Sequence, residues 1–338
     1  MRRKTTPFFV IFAVLAFSLP VPAQKQDKKG KHTDDQGIAS LWSDPIDIAS
    51  RNLFYGSGGE QDQPQGTMTF LEEDFKGTNP KFVVRDHEGT KWTVKLGVEV
   101  QPETAAVRLL WAAGYFTTED YFVSTIKVEN MPAHLKRGQD LVGPGGVIKK
   151  VRLTRHPKGK KKIGSWRWKR NPFTGTREFN GLRVMMALMN SWDLKDENNA
   201  IYEGPEPPRK IYLVSDLGST FGTTGRGWTH ATSKGNLKSY SHSRFISKST
   251  PQFVDFSTPS RAALIYFFTS FPEFFSRLHM RWIGKHIPRA DAKWMGELLA
   301  RLTPEQIRDA FRAAGYQPQQ VEGFAKTVQE RIAELNKL

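Results

Sequence analysis

The chain contains no cysteine, which excludes a disulfide framework and a lipoprotein-type signal, so the fold rests on its core alone. Its eight histidines form no metal-ligand pattern, His230 and His242 being twelve residues apart. No internal repeat is visible. Long apolar runs are missing too: the longest, Phe8 to Leu19, is twelve residues broken by Ser18, against the ~20 that a membrane-spanning helix needs. Acidic residues are scarce, 34 against 50 lysines and arginines, for a net charge of +16. Aromatics are not scarce: at 12%, with nine tryptophans, they provide the bulk for a core.

The termini and the charge distribution suggest an organisation. Arg2-Arg3-Lys4, the apolar run and Val21-Pro22-Ala23 before Gln24 have the basic, apolar and small-residue order of a signal peptide. Residues 1–23 are therefore expected to direct export, to the periplasm or outside the cell, with cleavage near Ala23–Gln24; a retained membrane anchor is the alternative. Residues 24–64 open with Lys, Asp and Gln and pass through Tyr55-Gly56-Ser57-Gly58-Gly59, the composition of a flexible linker. The remainder suits one two-lobed domain or two small ones. Much of the positive excess falls between Lys149 and Arg170, interleaved with Trp166 and Trp168. Residues 146–180 thus read as a basic aromatic insertion. It is either a solvated hairpin with both tryptophans on one face or a dock for an anionic membrane or envelope surface. Nucleic acid, which such a segment can bind, is not expected as the partner of an exported protein.

The chemistry-bearing residues lie elsewhere. Asp193-Leu194-Lys195-Asp196-Glu197-Asn198 is followed by Asp216-Leu217-Gly218. In phosphoryl transfer one carboxylate orients the attacking hydroxyl and accepts its proton, while an amide and a second carboxylate hold Mg²⁺ against the nucleotide phosphates. Helix-favouring Leu182 to Met189 precedes the hexapeptide, and β-rich Ile211 to Val214 leads into Asp216. Upstream, Lys81–Arg85 and Lys91–Leu96 alternate in polarity around Asp86-His87-Glu88-Gly89 and predict a hairpin. Lys95 sits there between Val94 and Leu96, an odd place for an ammonium without an anionic partner. A helix is expected over 102–113, with Pro102 at its start, Glu103 in its first turn and Gly114 after its end; Glu103 is the expected partner of Lys95, with Glu99 in reserve. Before the hairpin, Met68 to Leu71 predicts a strand and Asp74 to Pro80 its turn, where Lys76, Gly77 and Thr78 could meet phosphate.

These pieces resemble the protein-kinase-like superfamily, in its atypical branch with the phosphoinositide-kinase-like and HipA-like families, among exported bacterial proteins. The catalytic loop there reads D-x-K-x-x-N, the metal aspartate opens D-F-G, and the phosphate lysine ends V-A-I-K. Here Leu217 replaces the Phe, Ser191-Trp192 stand where His-Arg is usual, and the turn has one glycine in place of G-x-G-x-x-G. The resemblance covers roughly residues 65 to 300. It implies an α+β, two-lobed fold: a small antiparallel β-rich N-lobe over 65–145 and a helical C-lobe over 181–338. It makes Asp193 the base or orienter and Lys195 the neutraliser of the moving phosphoryl. Asn198 and Asp216 become metal ligands, Asn199 replacing Asn198 if the loop is one residue out of register. Lys95, fixed by Glu103, meets the phosphates under Lys76, Gly77 and Thr78. Mg²⁺ and ATP are the implied cofactors, with nucleotide and an unknown acceptor as partners. The Gly-, Ser- and Thr-rich stretch from Leu217 to Phe253 would be a long mobile substrate-binding loop. Helices are expected over Arg261–Phe268, Ala292–Leu302, from Thr303 onward, and over Gln319–Leu335. Nucleotidyl transfer on the same fold and a non-catalytic exported binding protein are the alternatives.

Overall fold

Polarity alternation in the first strands already sorts two faces. In the computed structural model, which describes residues 38–77, 79–156, 161–204, 209–222, 233–257, 267–268 and 271–338, five strands close a barrel. β2 (Met68–Glu73), β3 (Lys81–Arg85), β4 (Lys91–Lys95), β5 (Asp120–Glu129) and β6 (Val147–Arg155) follow the order β2–β3–β4–β6–β5. All pairs are antiparallel except β2 with β5. Phe82, Val84, Trp92, Val94, Ile148, Val151 and Leu153 fill the interior. The period of two then puts Lys81, Val83, Thr93, Lys95, Arg152 and Thr154 on the outer face. The β3–β4 turn forms as its residues dictate: Asp86 Oδ1 accepts from the N–H groups of Glu88 and Thr90, and Gly89 takes φ +84°.

Helix α1 (Val100–Ala112) packs against β5 and β6. It starts two residues before the expected 102 because Glu99 takes the N-cap position, which leaves Pro102 in the first turn, where its missing N–H removes no helical hydrogen bond. Eleven of its thirteen residues are buried, Glu103 and Arg108 included.

The second part opens on a four-stranded sheet ordered β1–β9–β8–β7, from β1 (Ala39–Ser40), β7 (Lys162–Gly164), β8 (Asn199–Glu203) and β9 (Lys210–Val214). Helix α2 (Arg177–Leu188) is capped by Thr176, whose side chain accepts from Phe179 N–H. Beyond come α3 (Leu237–Ser241), β10 (Ile246–Ser249), β11 (Phe253–Phe256), α4 (Phe271–Met280), β12 (Ile287–Pro288), α5 (Arg289–Leu299), α6 (Pro304–Arg312) and α7 (Pro318–Asn336); β10, β11 and β12 form a three-stranded sheet. Thr303 and Gln306 close a capping box on α6. Phe311 and Phe324 stack at 5.0 Å between α6 and α7, with Phe221 and Tyr240 edge-on or tilted beside them. The architecture is mixed α/β. Among the described residues no helix is long and apolar enough to cross a membrane.

Several expectations need correction. The proposed linker over 24–64 is packed from residue 38 onward: β1 pairs with β9, and Leu41, Ile48 and Leu53 are 3%, 0% and 0% exposed. Three of its apolar residues fall at docking positions, which an averaged composition hides, while Ile38, Ile46 and Phe54 stay exposed. The proposed insertion over 146–180 begins inside the barrel, since β6 is paired on both edges. Trp166 and Trp168 do not face solvent. They are 3% and 2% exposed, lie 4.9 Å apart against Phe179, and Trp166 Nε1 donates to Leu213 O at 2.9 Å. The alternating lysines and arginines are the outer residues of a segment whose aromatic rings enter the core. Within the expected mobile loop from 217 to 253, residues 233 onward hold α3 and β10, and buried Tyr240 donates to Leu188 O at 2.7 Å. Residues 223–232, residues 1–23 of the expected signal peptide and residues 261–266 of the expected helix over 261–268 lie outside the described residues.

Candidate functional site

The site begins with Lys95 on the outer face of β4. Its side chain is 3% exposed, and an ammonium there is tolerable only among anions. Glu103 Oε2 lies 2.8 Å from Lys95 Nζ, Asp216 Oδ1 3.2 Å and Glu99 Oε2 2.5 Å. Glu103 is supplied by the first turn of α1, Glu99 by its N-cap, and Asp216 by the end of β9, 121 residues away. The Glu99 contact is an ion pair without hydrogen-bond alignment. A second cation completes the cluster. Arg152 is the cross-strand partner of Lys95 and pairs with both Glu103 and Asp120. Lys234, from the chain beyond Asp216, pairs with the other oxygen of Glu99. Leu217 N–H donates to Glu103 Oε1 at 3.3 Å, so α1, β4, β6 and the Asp216 turn are tied at one point.

The charges hold one another. Burial works to lower the Lys95 pKa, but Glu103, Asp216 and Glu99 outweigh it and raise it. Burial would raise Glu99 and Asp216; Lys95 brings both below the usual carboxylate range, with Lys234 helping at Glu99 and Arg152 and the Gly218 N–H at Asp216. Glu103 is the exception: complete burial pushes its carboxyl up even against Arg152 and Lys95. Asp216 alone of the acids on Lys95 reaches solvent, 41% exposed against 5% and 1% for Glu99 and Glu103.

The hexapeptide loop lies next to Asp216. Asn198 Nδ2 donates to Asp193 O at 2.8 Å, closing the loop, and Ser215 N–H donates to Asn198 O at 2.8 Å. Ser215 immediately precedes Asp216, so the segment just after β9 carries both the Asp216 carboxylate and the anchor of the loop. Lys195 Nζ lies 3.6 Å from Asp193 Oδ1, both side chains about one-third exposed (35% and 28%). Asn199 is fully buried, and its Nδ2 donates to Trp166 O at 3.0 Å.

Beside this cluster is a cavity of about 510 Å³ whose lining includes Thr93, Thr154, His156, Tyr202 and Leu213, a size suited to a small-molecule ligand. Thr93 and Thr154 lie two residues from Lys95 and Arg152 on the same strand faces. Thr93 Oγ1 and His156 Nε2 are 2.6 Å apart, while the Thr117 and Thr154 hydroxyls, also on its wall, are buried without a hydrogen-bond partner. Burial and nearby Lys91 lower the His156 pKa. At the turn between β2 and β3, Lys76 is exposed, Gly77 takes φ +70°, and Arg137 donates to the carbonyls of Asp74 and Gly77. Thr78 lies outside the described residues.

No family model matches the chain, and no curated protein does. Solved structures do. The chain is similar to the Helicobacter pylori proinflammatory kinase CtkA at 12% identity and a TM-score of 0.44, covering 81% of this chain and 98% of that one. It is also similar to the Golgi casein kinase at 11% identity and a TM-score of 0.32, and to that kinase with Mn/ADP bound at 12% and 0.31, each covering 86% of this chain and 78% of the other. Likenesses at these values assign no activity to this chain.

Of the sequence candidates, Lys95, Glu103 and Asp216 are thus in direct contact. Asp193, Lys195 and Asn198 share one loop pinned beside Asp216, and Lys76 and Gly77 lie on a separate turn. Arg152, Lys234 and Asp120 were missed. Arg152 had a signal, because strand alternation from Val151 and Leu153 turns it outward; a basic run conceals it. Asp120 and Lys234 had none, since only the folded chain brings them to Arg152 and Glu99.

Proposed function

We propose that this is an exported, two-lobed kinase-like protein that binds a Mg-nucleotide between the barrel and the helical part and transfers a phosphoryl group to an acceptor. The observation that carries the proposal is Lys95 Nζ shared between Glu103, 2.8 Å away, and Asp216, 3.2 Å away. That contact couples a strand lysine, a helix glutamate and a strand-end aspartate, the parts that phosphoryl transfer needs for gripping phosphates and metal. The donors fit Mg²⁺, being hard oxygens. Asp216 has Oδ1 engaged by Lys95 and Gly218, which leaves Oδ2 for a metal, and Asn198 donates through Nδ2, which leaves its amide oxygen. The ion would neutralise charge on the phosphates.

Lys95, oriented by Glu103 and Glu99, would hold the non-transferred phosphates. Asp193 would orient the acceptor hydroxyl and take its proton as the acceptor oxygen–phosphorus bond forms and the phosphoanhydride bond breaks. Lys195, next to Asp193, would stabilise charge on the moving group. The cavity lined by Thr93, Thr154 and Tyr202 is the place for the nucleoside. Export follows from the N-terminal pattern. The burial of Trp166 and Trp168 weighs against the alternative of a binding protein that docks by them.

Titration calorimetry with ATP, with and without Mg²⁺, tests this. Wild type should bind only with the metal, Asp216→Asn should lose that binding, and Asp193→Asn should keep it while losing turnover by about 10²–10⁴-fold. Transfer of label from the γ position separates phosphoryl from nucleotidyl transfer. Equal, metal-independent binding by wild type and Asp216→Asn would overturn the proposal.

A further inference from the structure

Strands β3 and β4 pair so that Lys81 stands directly opposite Lys95. Phe82 and Val84 enter the barrel, so both lysines occupy the outer face. Like charges directly opposite in a ladder are destabilising. Lys95 is compensated by three carboxylates, whereas Lys81, with its side chain 20% exposed, has among the described residues only Asp74, at 3.8 Å. Burial lowers the Lys81 pKa; Asp74 and Asp216 oppose this, while Lys95 and Arg152 add to it, and the lowering prevails. The protein therefore maintains a charge that its own structure disfavours.

The surroundings add more of the same sign. Lys81 Nζ lies under the β2–β3 turn, 3.8 Å from where a Cβ on Gly77 would stand. Exposed Lys162 lines the cavity from the opposite sheet and feels the charges of Lys76 and Lys81. Four ammonium groups thus lie within electrostatic reach in succession, Lys162 of Lys76 and Lys81, and Lys81 of Lys95. A polyanion lying among them would turn each repulsion into a bridge.

We infer that Lys81, with Lys76 and Lys162 at the rim, forms a second phosphate-gripping set that clasps the outer phosphates of a nucleoside triphosphate opposite Lys95. This rests on the nucleotide reading above. It predicts that affinity rises steeply with phosphate number, because AMP would reach Lys95 and leave the rim lysines unengaged.

The test compares ATP and AMP titrations of wild type, Lys81→Met and Lys81→Arg at fixed Mg²⁺, with inorganic tripolyphosphate as a further ligand. Lys81→Met should weaken ATP by about ten- to a hundred-fold, the worth of one charge-assisted contact, and AMP by less than twofold, while Lys81→Arg retains most of the ATP affinity. Without ligand, Lys81→Met should melt no lower than wild type, since a disfavoured charge has been removed; this separates phosphate binding from a structural role. Equal weakening of ATP and AMP, or unchanged ATP affinity in Lys81→Met, overturns the inference and leaves the proposed function standing if Lys95→Met abolishes binding. Tripolyphosphate binding as tightly as ATP overturns the assignment to a nucleotide. A wild type that binds no nucleotide removes both.

Discussion

Replacing Lys95 by Met keeps the side-chain length and removes the charge at the centre of the cluster. The variant leaves Glu99, Glu103 and Asp216 with oxygens all within 4.8 Å of one another. Breaking a buried ion pair by removing one partner costs about 3–5 kcal/mol, and the Lys95–Glu103 pair qualifies, its side chains being 3% and 1% exposed. The lower end applies here, because Arg152 still neutralises Glu103 and Lys234 still holds Glu99. A loss of about 3 kcal/mol corresponds to roughly 4–5 °C in Tm for a chain of this length. The pH dependence carries the sharper test. Glu99 and Asp216 have folded pKa values below their ordinary ones, with Lys95 the chief opponent of burial at both. Their contribution is therefore present above the unfolded carboxyl pKa of ~4 and is lost as pH falls through the folded values. Lys95, raised by the same partners, contributes fully at every pH below its unfolded pKa of ~10.4. The gap between wild type and Lys95→Met should accordingly narrow below about pH 4.5. Divalent cations should stabilise the variant more than wild type, because three carboxylates without their ammonium are a cation site. Thermal melts across pH, with and without Mg²⁺, measure both. A destabilisation under about 1 kcal/mol, or a gap of constant size down to pH 3, would refute the picture of one coupled cluster.

Two other substitutions probe the cluster and the core. Gly218→Ala places a methyl group 2.6–2.7 Å from the Glu99 carboxylate and Cβ; overpacking of this kind costs about 1–3 kcal/mol, and displacing Glu99 from Lys95 should weaken Mg-nucleotide binding in calorimetry, whereas an affinity equal to that of wild type would mean that Glu99 does not orient Lys95. Trp166→Ala removes a buried ring and its hydrogen bond to Leu213 and should destabilise by about 3–5 kcal/mol in denaturant unfolding, with no change in sedimentation with anionic vesicles; unchanged stability with lost vesicle binding would restore a docking role for the segment.

What the sequence by itself determined was mostly local. The hairpin around Asp86-His87-Glu88-Gly89 forms because its aspartate and glycine satisfy the turn whatever surrounds it. Helices α2, α6 and α7 follow their apolar periodicity, and Thr303 with Pro304 fixes the start of α6. Lys95 could be singled out because a lysine between Val94 and Leu96 needs an anion, and Glu103 because a helix starts near it. Other outcomes depended on long-range packing. Composition describes neighbours in sequence, so it could not reveal that Leu41, Ile48 and Leu53 dock into the core or that Trp166 and Trp168 turn inward. Nor could it show β6 paired on both edges, because its basic residues are only the outward half of an alternating strand. The encounter of Lys95 with Asp216, the second cation at Arg152 and the opposition of Lys81 to Lys95 are matters of register and of chain separations up to 121 residues. Such contacts exist only once the barrel has closed and the helical part has packed against it, because electrostatic partners are set by distance in space and local preference specifies only distance along the chain.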